Sequence, residues 1–147
     1  MPTVVRRRDV AAPPEAVWQL VGDPYHLPRW WPRVSRVEAV AGGRFTEVLS
    51  GARSGRNVRA DFRVEEKRKG RLLRFSQELA GSPFERVLRE AETSIALEPR
   101  GRGTRVAITH RQRLRGLSRM GGFLVRRATR KVLDQALDGL EDAVGPA

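Results

Sequence analysis

From Arg33 to Leu114 the apolar residues of this chain recur at every second position, and after Gly116 they recur at every third or fourth. That change of period restricts the fold to a sheet followed by one long helix. Glycine-rich breaks at Gly42-Gly43, Gly51–Gly55, Gly70, Gly81-Ser82-Pro83 and Gly101-Arg102-Gly103 divide the first region into six strands, near Arg33–Ala41, Arg44–Ser50, Asn57–Lys67, Arg71–Leu79, Glu85–Glu98 and Thr104–Leu114. Val58, Ala60, Phe62 and Val64 alternate with Arg59, Asp61, Arg63 and Glu65, the pattern of a sheet with one dry and one wet face. The same phase runs through Leu73, Phe75, Gln77 and Leu79, through Val87, Arg89, Ala91, Thr93, Ile95 and Leu97, and through Val106, Ile108, His110, Gln112 and Leu114. Gly116–Val144 then sets Leu117, Met120, Leu124, Ala128, Val132, Leu133, Ala136, Leu137, Leu140 and Val144 on one helical stripe.

One apolar sheet face and one long amphipathic helix can bury each other only if the sheet curls around the helix. A further strand, Thr3–Val10, precedes them and stops at Ala11-Ala12-Pro13-Pro14, because proline has no N–H for a ladder. Pro14 and Glu15 suit a helix start, and Val17, Trp18, Leu20 and Val21 form its stripe up to Gly22. Tyr25–Pro32, interrupted by Pro28, has room for only a turn or two of helix. The expected fold is an α+β helix-grip: a curved antiparallel seven-stranded sheet wrapped around a long C-terminal helix, with two short helices after the first strand. It forms a single domain over residues 1–147. The space between such a sheet and its helix is where a small-molecule pocket forms.

The absence of cysteine excludes a disulfide framework, a thiolate nucleophile and Cys-ligated metal sites. His26 and His110 lie far apart with no H-E-x-x-H pair, so no metal is expected. G-x-S-x-G, a P-loop and G-x-G-x-x-G after a strand are also absent, which disfavours a hydrolase, a kinase and a dinucleotide enzyme, and no cofactor is expected. The start has no signal-peptide pattern and no apolar run nears the ~20 residues of a membrane span, so a cytoplasmic protein of bacterial type is expected.

Charge is uneven. The chain has 29 Lys+Arg against 17 Asp+Glu, and 11 of the basic residues fall between Arg100 and Lys131 with no acid among them. Arg105, Arg111 and Arg113 on the last strand and Arg119, Arg126, Arg127 and Arg130 on the helix form a candidate basic patch for an anionic partner, extended by some of Arg6, Arg7 and Arg8. The competing explanation is an arginine-rich coding bias, since 26 of the 29 are arginine. The closing helix is basic in its first half and acidic in its second (Asp134, Asp138, Glu141, Asp142), the reverse of what its dipole favours, so tertiary packing must override that small effect.

The run Val10-Ala11-Ala12-Pro13-Pro14-Glu15-Ala16-Val17-Trp18, with Asp23 and then Leu27-Pro28-Arg29-Trp30-Trp31-Pro32, resembles the opening of the START-like (SRPBCC) superfamily, which includes polyketide cyclase/dehydrase-like proteins. Leu97-Glu98-Pro99-Arg100-Gly101-Arg102-Gly103-Thr104-Arg105-Val106 resembles that family's penultimate hairpin. The resemblance spans nearly the whole chain and implies the helix-grip fold with a ligand cavity. It does not select an activity, since the family holds aromatase/cyclases, lipid and hormone carriers and ring-hydroxylase subunits.

Gln77, Arg89, Thr93, His110 and Gln112 fall on the inward phase, where polar groups must be paired or cost about 1–3 kcal/mol each. They suggest a cavity, with Arg89 as partner for a carboxylate, phosphate or enolate oxygen. A bulge near Leu88, which breaks the alternation, would instead turn Arg89 outward. His110 is the candidate general acid or base, or else a rim histidine satisfied by a neighbour. His26 reads as a rim or structural residue. Tyr25, Trp30, Trp31, Phe62, Phe75, Met120 and Leu124 complete the expected ligand-binding set, with one tryptophan packed beneath the helix and the other at the mouth.

The leading expectation is non-covalent binding of a small hydrophobic or aromatic ligand, lipid- or polyketide-like, between the sheet and the C-terminal helix. One alternative is a cofactor-independent cyclase/dehydrase that uses His110 and Arg89. The other is a basic-surface module for nucleic acid or an anionic membrane. Specific nucleic-acid recognition is not expected, because Phe123 is the one aromatic ring besides His110 from Arg100 onward, which leaves non-specific anionic contact. A monomer and a homodimer both fit.

Overall fold

A computed structural model describes residues 3–50, 57–116 and 119–145, with the backbone alone at Arg119 and Met120. The glycine-rich break at 51–55 and Leu117 lie outside these residues. The order is β1 (Thr3–Val10), α1 (Pro14–Val21), a 3-10 turn (Pro24–Arg29), β2 (Val34–Ala41), β3 (Arg44–Ser50), β4 (Asn57–Arg68), β5 (Leu72–Glu78), β6 (Leu88–Arg100), β7 (Gly103–Leu114) and α2 (Arg119–Val144). The strands form one antiparallel sheet in the order β1-β7-β6-β5-β4-β3-β2, so α1 and the 3-10 turn carry the chain from one edge to the other. This is the helix-grip architecture.

Local chemistry sets the boundaries. Pro14 opens α1, and Asp23 accepts a hydrogen bond from the Tyr25 N–H to start the 3-10 turn. Gly42 and Gly43, both at positive φ, make the two-residue turn of the β2–β3 hairpin. The strand expected from Glu85 starts later, at Leu88, because Ser82 caps a second 3-10 turn over Pro83–Arg86. A register shift between Leu88 and Glu90 then marks a bulge at the start of β6.

The core lies under the second half of α2. Leu133, Ala136, Leu137 and Leu140 are at most 1% exposed and pack with Val17, Leu20 and Val21 of α1, Trp30, and Ile95, Val106 and Ile108 of the sheet. Gly139 allows the contact with the Trp30 segment, since a Cβ there would overlap the Trp30 carbonyl oxygen. The reversed charge of α2 finds its cause here. Arg6 and Arg8 share the inward phase of Val4 and Val10 on β1, and they pair with Asp134 (2.7 Å) and with Asp138 and Glu141 (2.6 Å each).

Candidate functional site

Burial along α2 is graded. Its first half is the less buried, and a cavity of about 320 Å³ lies between it and the sheet. Its floor is formed by Phe62, Phe75, Gln77, Ala91, Thr93, His110 and Gln112 from β4 to β7, and Glu47 projects into it from β3. The roof is Val125, Ala128, Thr129, Val132 and Leu133, with Trp31 beside them. Ala128 is exposed and therefore sits at the opening.

Phe45, Phe62 and Phe75 form a ring cluster with centroids 5.2–5.5 Å apart, which stiffens the β3–β5 wall. A polar chain runs along the opposite wall. Thr93 Oγ1 and His110 Nδ1 share a hydrogen bond of 3.0 Å, and Gln112 Nε2 donates to Thr129 Oγ1 at 3.1 Å, tying β7 to α2. Burial pushes the His110 pKa down, partly opposed by its hydrogen bond to Gln112, so the imidazole is neutral at pH 7. Gln77 Nε2 is buried without a partner among the described residues.

Glu47 is the residue that the sequence reading missed. It is 6% exposed, and burial pushes its pKa up to about 8, so it holds a proton at neutral pH. The signal was present in Phe45-x-Glu47-x-Leu49, which alternates like the other strands. The cavity therefore holds a protonated acid and a neutral base, on strands separated by β4, β5 and β6.

Several expected site residues stand elsewhere. Arg89 is exposed in an adjoining cleft with Ser76, Glu90, Glu92 and Arg111, which shares Gln77 and Ala91 with the cavity, because the β6 bulge breaks its inward phase and the β5–β6 ladder ends at Ser76 and Glu92. Trp30 is sealed in the core at 3% exposure while Trp31, edge-on to it at 5.3 Å, reaches the cavity. Tyr25 and Leu124 are each 55% exposed and do not line the cavity. On α2, Val125 takes the place expected for Leu124, and the side chain of Met120 is outside the described residues. His26 lies away from the cavity, near Arg29 Nη1 (3.3 Å) and Asp23 (3.6 Å).

The expected basic patch is divided. Arg105 pairs with Asp9 at 2.9 Å, and Arg6 and Arg8 are neutralised against α2. Arg111 and Arg113 are exposed on the sheet's outer face, whereas Arg126, Arg127 and Arg130 are exposed on α2, which packs on the inner face. The side chain of Arg119 is outside the described residues. Among the described residues no group of three potential ligands gathers for a metal, and no helix is long and apolar enough to cross a membrane.

The family model described as polyketide cyclase / dehydrase and lipid transport matches residues 1–145. No curated protein sequence matches the chain. A START superfamily protein from Mycobacterium smegmatis superposes with a TM-score of 0.78 at 15% identity, covering 97% of this chain and 96% of that one. A protein from Thermus thermophilus does so with a TM-score of 0.69 at 27% identity, covering 97% of both. The di-domain ARO/CYC BexL from the BE-7585A biosynthetic pathway gives 0.79 at 23% identity over 98% of this chain, which spans 46% of BexL.

Proposed function

Since the chain belongs to the polyketide cyclase/dehydrase and lipid transport family, we propose that it binds one small, largely apolar or aromatic molecule between the curved sheet and the first half of α2. One observation carries this reading. The inner face that would be closed core in a purely structural domain is opened into a cavity of about 320 Å³, with apolar walls and two polar groups, Glu47 and the Gln77 amide, that no side chain serves among the described residues. Polar groups in that position are costly unless a ligand or water supplies the missing bonds. The volume is at the small end of the ~300–1,000 Å³ range of ligand sites, which favours a ring system or a single chain over a two-tailed lipid.

Native mass spectrometry of freshly purified protein, followed by denaturing extraction, tests this. A discrete small-molecule adduct, reduced when Ala91→Phe fills the floor, is expected; an adduct that Ala91→Phe leaves untouched contradicts the reading. A second reading, acid–base catalysis of the cyclase/dehydrase kind, draws on the protonated Glu47 and neutral His110 in one cavity. Arg89 lines the adjoining cleft and not that cavity, so charge stabilisation in this reading is given to the Glu47 acid. Unchanged turnover of a poly-ketone by His110→Ala would dismiss it.

A further inference from the structure

Although the chain carries 26 arginines, the cavity wall holds none among the described residues, and no lysine either. Among the described residues its titratable groups are Glu47 and His110. The neighbours of Glu47 across the ladder are Val37 on β2 and Ala60 on β4, and the described α2 residues that line the cavity, Val125, Ala128, Thr129, Val132 and Leu133, are uncharged. An anionic ligand would meet no counter-charge among the described lining residues. A neutral carbonyl ligand would need only a donor such as the Gln77 amide, which has no partner among the described residues. Glu47 is the one acidic side chain on the described wall, a carboxyl that can give up its proton and pair with a cation, and Trp31, Phe62 and Phe75 supply aromatic rings to the same lining, which a cation tolerates well.

We propose that the ligand is an amphiphilic amine, with its ammonium on the Glu47 carboxylate and its apolar body between the phenylalanine wall and α2. This rests on the cavity-binding reading above and specifies its ligand class. The proton balance follows from the free state. Glu47 holds its proton at neutral pH, so binding of R–NH3+ leaves a carboxylate–ammonium pair and releases one proton to solvent; an alcohol releases none.

The test uses the full chain with an uncharged fluorescent probe, N-phenylnaphthylamine, displaced in turn by dodecylamine and dodecanoate below their micelle concentrations and by dodecanol below its solubility limit. Dodecylamine is expected to bind about tenfold more tightly than dodecanol, with dodecanoate weakest. Glu47→Gln should bring the amine and the alcohol to within about twofold of each other. Calorimetry in buffers of different ionisation enthalpy should count about one proton released per amine bound by the wild-type chain, a readout that does not depend on the variant folding. Equal affinity for amine and alcohol, a preference for dodecanoate, no displacement of bound probe, or no proton release overturns the inference and leaves the cavity reading standing. Failure of the probe to bind at all overturns both.

Discussion

A carboxyl group that is 6% exposed and faces no cation among the described residues keeps its proton in the folded chain and loses it readily in the unfolded one. The Glu47 pKa rises on folding, so its contribution to stability is fully present below the ordinary value of 4.5 and is lost as pH rises through about 8. His110 has the opposite sign: its pKa falls on folding, so its contribution is present above about 6.5 and is lost as pH falls through the folded value. Glu47→Gln should therefore stabilise the protein at about pH 9, on the order of 2 kcal/mol or more, and much less at about pH 5. Denaturant melts at the two pH values check this; an equal effect at both contradicts the protonated state assigned to Glu47. Arg89→Ala should leave probe binding unchanged within about twofold, and a larger loss would place Arg89 at the ligand after all. These two residues show the reach of sequence reading at this scale. Inward phase located Gln77, Thr93, His110 and Gln112 because their strands are regular, and it failed at Arg89 because one extra residue in a bulge reverses the face. Glu47 was legible in its alternation, but a glutamate on a short strand reads as solvent-facing unless the whole phase is followed.

At the scale of elements, α2 performs two tasks that divide it near Val132. The second half seals the core, and its acids meet Arg6 and Arg8 across the β1 edge. The pairs are partly exposed, so a double-mutant cycle on Arg6 and Asp134 should give a coupling below about 1 kcal/mol that weakens with salt. A salt-independent coupling well above that would give these pairs a larger structural part than assigned here. Close packing matters more. Gly139→Ala drives a methyl group into the Trp30 carbonyl, and because backbone stands on both sides it should cost about 2–4 kcal/mol; an unchanged melting temperature would contradict the packing described. The reversed charge order of α2 was visible in the sequence, whereas its partners on β1 were not, since which face of a strand meets a helix is decided by the assembled sheet.

For the whole molecule, glycine punctuation, period-two strands and a closing amphipathic helix were enough to specify a sheet curled around one helix. They could not say how much of the enclosed space stays open, because that depends on where α2 lifts away from the sheet. A cavity bounded by Phe62, Phe75, Ala91 and Val132 should take up an apolar probe. N-phenylnaphthylamine should bind the wild-type chain saturably with one site, and Ala91→Phe, which fills the floor without adding charge, should weaken that binding about tenfold or more while the circular dichroism spectrum is unchanged. No saturable binding to the wild-type chain, or undiminished binding to folded Ala91→Phe, would contradict it.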